Sequence, residues 1–486
     1  MRKQVLLWLM CGLSLAIGRV CGQSSPIALH PQNPHYFIYK GKTTALITSA
    51  EHYGAVLNLD FDYKKYLKTL ADEGMNYTRI FTGTYYEIQG DFNIENNTLA
   101  PKPDRYLGPW QKVGGDKMKF DLSKWNEAYF TRLKDFLDEA RKHGIIVEIT
   151  LFSSIYQDKT WGISPQNPVN NVNLTDSIPR QKAQTLDNKG LWPYQQAFVK
   201  KIVTELNGFD NLFFEVQNEP WSDRTVAVYN IVNKEELLKN DWTNKADFAD
   251  EASLQWQAAV ANTITQTEQK LAKKHLIAQN YTNFRASIPE VAPTISIINF
   301  HYAWPEAVQW NYHYPKVIGF DESGFAGSDD AVYRRQAWQF MLSGGGLFNS
   351  LDYSFSVGHE DGRGTYKAPG GGSTALRAQL KILADFLHSY DLEKLRPNYA
   401  GILAAPGLIT YTLSDKSQAF AVFLRATGTR KSTLKIAVDK GTYSVKTLDT
   451  VSGKYTDLGD AKSVEGVLTI PIDIPAGELA LKVLRR

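Results

Sequence analysis

Cysteine is nearly absent from this chain, with 2 in 486 residues, and both, Cys11 and Cys21, stand close to the start. Everything beyond them lacks a thiol, which excludes disulfide staples, cysteine-ligated metals and a cysteine nucleophile from the body of the protein. Long apolar runs are missing as well. Past VLLWLMCGLSLAIG (5–18), no stretch approaches the roughly 20 apolar residues that a membrane span requires. Neither sign of charge dominates: the formal net charge is +3 and no Lys/Arg run occurs, so nothing marks a nucleic-acid or anionic-membrane partner. No Gly-rich phosphate fingerprint follows the first strand-like segment, which argues against dinucleotide folds. Internal repeats and low-complexity linkers are lacking too.

Aromatics, by contrast, are abundant, with 11 Trp, 25 Tyr and 23 Phe, and rigid rings serve both core packing and the apolar faces of sugars. At the start, Arg2 and Lys3 precede the short apolar run, and the small residues Gly18 and Gly22 follow it. Residues 1–22 therefore read as a cleaved secretory signal, placing the mature chain in the periplasm or outside the cell. Lipid attachment at Cys21 is disfavoured, because Arg19 and Val20 stand where a bacterial lipoprotein signal has small residues.

From residue 43 onward, short apolar runs alternate with longer amphipathic stretches. TTALITSA (43–50), MNYTRIFTG (75–83), IIVEITLF (145–152), NLFFEVQ (211–217), HLIAQNY (275–281), ISIINFHYA (295–303), KVIGFDES (316–323) and GGLFNSLDY (345–353) are the strand candidates. Helical spacing appears at 60–74, 124–144, 193–208, 252–274 and 374–395, while IPEVAP separates the fifth and sixth strands with no strong helix signal. Eight strands with intervening helices predict an α/β fold, a (β/α)8 TIM barrel over 23–396 that includes an N-terminal extension. Beyond it, LITYTL, AFAVFLR, LKIAV, YSVKTL and LTIPI predict a small all-β sandwich over 397–486, expected to pack on the barrel as a lid. Long connections follow strands two, three and four, and loops of that length carry function.

On such a barrel, chemistry collects where side chains leave the C-terminal ends of strands. Glu219, in FFEVQNEPW, follows strand four, and Glu322, in VIGFDESGF, follows strand seven. Two carboxylates across one mouth suit glycoside hydrolysis, in which one donates a proton to the leaving oxygen and the other attacks, or activates water at, the anomeric carbon.

Asn218-Glu219-Pro220 and Glu322 at these places resemble the signature of clan A retaining glycoside hydrolases, the cellulase-like superfamily. The resemblance implies that Glu219 is the acid/base, Glu322 the nucleophile, and Asn218 the holder of the hydroxyl beside the anomeric carbon. It implies also that Arg79 orients the nucleophile and that His301 lies beside the site. Arg79 should keep its carboxylate partner ionised, while burial and the charge of Glu322 should keep Glu219 protonated. Some positions depart from the family pattern. The tyrosine common two residues past the histidine is replaced by Ala303, and Tyr302 stands one place early, which removes the family's warrant for a contact with the nucleophile. Strand three ends in LFSSIY without a histidine, and strand eight ends in LDYSF without a tryptophan. Tyr353, Phe355 or Trp304 is then the expected sugar platform.

Glu51 and His52, in SAEHYG, are further candidates for the innermost sugar subsite, or else form an ion pair behind it. One or two of Trp110, Trp161, Trp192, Trp221 and Trp310 are expected to stack on sugar, the others to pack the loops. The loop GHEDGRG (358–364) reads as a solvated turn, with sugar or Ca²⁺ binding as alternatives. The expected function is β-glycosidic hydrolysis of a poly- or oligosaccharide by double displacement, without metal or organic cofactor. The alternatives are a transglycosylase with the same residues and a non-catalytic carbohydrate-binding protein.

Overall fold

A computed structural model describes residues 25–114, 119–229, 245–428 and 430–486. The expected signal segment lies outside these residues. Eight parallel strands form the central barrel: β1 (Leu46–Ala50), β2 (Tyr77–Phe81), β3 (Ile146–Ser153), β4 (Leu212–Asn218), β5 (Ile277–Asn283), β6 (Ile297–His301), β7 (Val317–Ser323) and β8 (Leu347–Leu351). These are the eight strands expected from the sequence. Helices α1 (Tyr63–Asp72), α2 (Glu127–Lys142), α3 (Trp192–Leu206), α4 (Glu251–Glu268), α5 (Pro305–Asn311), α6 (Asp330–Met341) and α7 (Thr374–His388) surround them. Residues 284–296, between β5 and β6, hold no helix.

The ladder runs from β1 through β8 and back to β2, and the β1/β2 seam is closed largely by a side chain. The Asn76 amide accepts from Ile47 N at 2.9 Å and donates to Ala45 O at 2.9 Å, standing in for peptide hydrogen bonds across the gap. Inside, the first inward residues of the strands make an apolar floor that includes Leu46, Tyr77, Ile146, Phe213, Ile297 and Val317. Phe37, from a small N-terminal sheet, plugs this floor from below and stacks on Phe213 at 6.3 Å. Two residues further along the strands the interior turns polar, with Arg79, Glu148, Glu215, Asn280 and Asn299 all buried. Gly319 makes room in that layer, because a Cβ there would meet Asn299 Oδ1 at 2.3 Å.

The C-terminal residues form six-stranded and three-stranded antiparallel sheets around their own core, which includes Phe420, Leu434, Tyr443 and Leu481. This is the expected sandwich. It docks on the outer face of α6, where Trp338 stacks on Phe423 at 5.5 Å and Glu478 receives Arg334 at 2.7 Å, Arg335, and Thr450 Oγ1 at 2.7 Å. Burial pushes the Glu478 carboxyl up, but the two guanidinium groups and Thr450 outweigh it and hold it below the ordinary range. Its contribution is therefore complete above the usual carboxylate range and fades as pH falls through the lowered value. Glu478→Ala, which leaves Arg334 buried without its anion, is expected to cost roughly 3–5 kcal/mol. A thermal-unfolding midpoint below wild type at neutral pH, with the difference shrinking in acid, checks this.

Candidate active site

The C-terminal ends of the strands open into a cavity of about 330 Å³. Its walls include Glu219 and Glu322, with Asn218, Tyr302, Tyr53 and Tyr156 around them. Several of these residues sit in the left-handed region that non-glycine residues avoid: Glu219 at φ 44°, Tyr302 at 52°, Tyr53 at 60° and Phe325 at 55°. A strand alternates its side chains, so consecutive residues cannot both face the mouth while the backbone stays extended. The left-handed turn at Glu219 lets Asn218 and Glu219 both line the cavity, and the turn at Tyr302 brings that residue into the wall directly after buried His301. Strained backbone of this kind clusters where side chains must be aimed.

Glu322 is held by three donors. Tyr302 OH reaches Oε1 at 2.8 Å, while Tyr53 OH and Arg79 Nη1 reach Oε2 at 3.0 and 3.3 Å. The one-residue displacement of Tyr302 thus does not remove it from Glu322, because its left-handed backbone turn brings the hydroxyl back to that carboxylate. Arg79 itself is fully buried and also bonds Glu215 and Asn218 Oδ1, the latter at 2.8 Å. Behind it, Asn280 Nδ2 donates to Asp321 Oδ2 at 2.9 Å, and Asn280 Oδ1 accepts from Glu219 N at 3.0 Å.

Glu219 is clasped differently. Its Oε1 lies 3.0 Å from His301 Nδ1, and its Oε2 accepts from Tyr156 OH at 2.8 Å and Ser222 Oγ at 3.2 Å. Tyr156 also accepts from Asn218 Nδ2 at 2.8 Å, so it occupies the strand-three place where the sequence offered no histidine. Burial pushes Glu219 up, but His301 first, then Tyr156 and Ser222, bring it below the ordinary carboxylate range. Burial alone would lower His301, yet the charges of Glu322 and Asp321 raise it well above the usual imidazole value. Against the expectation that Glu322 keeps Glu219 protonated, His301, 3.0 Å from Glu219 and 3.5 Å from Glu322, stands between the carboxylates and draws Glu219 down.

Oxygens of Glu219 and Glu322 and a nitrogen of His301 all lie within 4.8 Å of one another. A second trio with metal-ligand spacing, Glu148, Glu215 and Asp321, sits beneath them. Arg79 reaches into both groups, and supplies there the positive charge that an ion would bring.

The remaining sequence candidates divide. His52 lines the cavity, with Nε2 3.3 Å from Glu87 Oε2. Glu51 does not: fully buried, it accepts from Gly54 N, Ala55 N and Thr98 Oγ1, and so ties the loop after β1 to the loop after β2. Tyr353 is no platform either; it packs behind His52, ring centroids 5.8 Å apart, and Phe355 is buried against Tyr66. Trp304 is 38% exposed beside the mouth and stacks on Arg285 at 4.2 Å, but it lies outside the cavity wall. None of the five loop tryptophans lines the cavity. Trp110, Trp161 and Trp221 are buried, Trp192 packs on Trp256 and Trp310 is exposed on α5. The 358–364 loop is a turn solvated at Gly358, His359 and Arg363 but tied down between them, where buried Glu360 accepts from Gly358 N at 2.8 Å and Asp62 N at 3.4 Å and Arg377 binds Gly362 O. No described residue of the sandwich lines the cavity, and the domain packs on the barrel's flank at α6 rather than over its mouth.

Tyr53, Phe81, Tyr85, Glu87, Phe92, Leu99, Tyr156 and Phe325 complete the wall and were not singled out from the sequence. Tyr53 belongs to the SAEHYG motif, directly after the charged pair Glu51 and His52. Tyr156 lay in the LFSSIY strand end.

No protein-family model and no curated protein matches the sequence. Solved structures do match in shape. A Bacteroides vulgatus protein with a provisional glycoside hydrolase assignment superposes with a TM-score of 0.65 at 13% identity, covering 96% of this chain and 83% of its own. A glycoside hydrolase family 5 protein from Bacteroides vulgatus gives 0.62 at 11% identity, covering 95% and 93%. A further structure described as a glycoside hydrolase gives 0.62 at 11%, covering 95% and 97%. Among the described residues no helix is long and apolar enough to cross a membrane. Over nearly its whole length, this chain has the fold of solved glycoside hydrolases, the barrel class that its strand-end residues resemble.

Proposed function

We propose that the protein hydrolyses β-glycosidic bonds of an oligo- or polysaccharide with retention of configuration, outside the cytoplasm, with Glu322 as nucleophile and Glu219 as acid/base. One observation carries the reading: the two carboxylates face each other across a single cavity, with oxygens within 4.8 Å. Retaining enzymes hold their carboxyl groups about 5–5.5 Å apart, whereas inverting ones leave roughly 6.5–9.5 Å for a water. Six donors, three to each carboxylate, would be an unexplained burden for a site that only binds.

The charge arrangement suggests how the acid is loaded. His301, raised above its usual value by the charges around it, is the proton store, and the bond from Nδ1 to Glu219 Oε1 is a path of 3.0 Å. A sugar that displaces water from the cavity disfavours the separated charges, and moving the proton along that bond leaves neutral imidazole and a protonated Glu219. Glu219 gives this proton to the leaving oxygen as Glu322 attacks the anomeric carbon. It then takes a proton from the water that breaks the glycosyl ester.

Two measurements test the roles. In Glu219→Ala, kcat/KM should fall steeply for glycosides with poor leaving groups and far less for activated aryl glycosides, which need no acid; an equal loss on both would contradict the assignment. In His301→Asn, the shared proton loses its more basic holder, so the alkaline limb of the kcat/KM profile should move to lower pH. An unchanged limb would remove His301 from the proton path.

A further inference from the structure

We infer that the cavity is a closed-ended pocket for one neutral, non-reducing terminal sugar, read at its far end by Glu87 and His52, so that the enzyme trims chains from that end. This rests on the proposed function and adds the mode of action and the sugar class.

The closure comes from the loop after β2. Its tip, Phe92, stands at φ 55° and reaches across the mouth to Phe325 of the β7 loop, ring centroids 6.5 Å apart, and to Tyr156 of the β3 loop at 5.2 Å. Each side of the tip is anchored. Lys159 pairs with buried Asp91, Tyr86 OH donates to Ile163 O at 2.9 Å, and Glu95 N donates to Lys367 O of the β8 loop at 3.0 Å. A polymer running through the site would have to pass this strap. The opposite side, near β5 and β6, carries the exposed face of Trp304 braced on Arg285, and there the rest of the chain can leave. A volume of about 330 Å³ is near the small end of the roughly 300–1,000 Å³ typical of ligand pockets.

At the walled end, polar groups reappear among Phe92, Leu99 and Phe81. Glu87 is held by Asn97 and by Tyr85 OH at 3.3 Å, and His52 by Glu87 at 3.3 Å. His52 is 8% exposed, lines the pocket, and has a buried Nδ1 without a hydrogen-bond partner. A buried polar atom with nothing to bond is costly unless a ligand completes it. An imidazole nitrogen beside a carboxylate offers a donor and an acceptor to neighbouring hydroxyls, as the free end of a pyranose presents. The cations at this wall are already engaged, His52 with Glu87, His301 with Glu219 and Arg79 with Glu322, which leaves none of them for the carboxylate of a uronate.

The test uses nitrophenyl β-glycosides of neutral hexoses, pentoses and glucuronic acid, together with reduced β-linked oligosaccharides. Wild type should cleave a neutral monoglycoside and release only monosaccharide from the oligosaccharides. Glu87→Gln should lose on the order of tenfold to a hundredfold in kcat/KM, mainly through KM. Phe92→Gly, which suits the left-handed backbone while removing the ring, should begin to release longer fragments with an unchanged melting temperature. Internal cleavage by wild type, or preference for the uronide, would overturn the inference while leaving glycoside hydrolysis intact. If no substrate is turned over, calorimetry with isofagomine-type iminosugars and with the intact oligosaccharides decides. Iminosugar binding weakened tenfold or more by Glu87→Gln supports the pocket; binding of oligosaccharide alone overturns it; binding of neither overturns both readings.

Discussion

Glu322→Ala is expected to lower turnover of activated aryl β-glycosides by on the order of 10⁴ to 10⁶, the scale on which removal of a nucleophile acts. Its carboxylate is the point on which Arg79, Tyr53 and Tyr302 converge, and none of the three can take its place as an attacking group. Truncation opens a space on the face from which the carboxylate attacks. Azide entering that space should restore part of the rate and give the α-glycosyl azide. In Glu219→Ala the ester at Glu322 still forms, and azide then attacks from the opposite face to give the β-azide. The opposite pairing of products would exchange the two roles, and no loss in either variant would place the chemistry elsewhere.

The second large effect is structural. Arg79→Met should cost roughly 3–5 kcal/mol of stability, because it strands Glu215 in the barrel interior without its cation and leaves Asp321 with His301 alone. Burial already pushes Glu215 up to about 8, Arg79 opposing that rise and Asp321 adding to it. Without Arg79 the folded protein holds more protons at this cluster than the unfolded chain does, so stability falls as pH rises through that range. The variant's deficit, read from denaturant midpoints, should therefore be larger at alkaline than at mildly acidic pH. Arg79→Lys keeps the charge but not the planar fork that meets Glu215, Asn218 and Glu322 together, and should recover stability better than activity. A deficit independent of pH would mean that packing, not charge, is what Arg79 contributes.

The eight strands were legible because each is a short apolar run between turn residues, and Glu219 and Glu322 because they follow such runs directly. What escaped the sequence has identifiable causes. The contacts of Tyr53 and Tyr302 depend on left-handed backbone, at φ 60° and 52°, and strand alternation places such residues on the wrong face. Glu87 and Phe92 lie on the long loop after β2, where no period relates sequence to direction, and the sequence shows only that the loop is long. Glu51 was the more conspicuous residue of its motif, yet its carboxylate is spent on backbone N–H groups. The charge state of Glu219 depends on which groups stand between the carboxylates. His301 was expected near the site, but not its place 3.0 Å from one carboxylate and 3.5 Å from the other.

The central claim is a retaining displacement between Glu219 and Glu322, and proton NMR of the anomeric signals during hydrolysis of a cleaved aryl β-glycoside tests it most directly. Retention requires the β-anomer to appear first, with the α-anomer growing in only as mutarotation proceeds. First appearance of the α-anomer would mean a single inverting displacement and would contradict it.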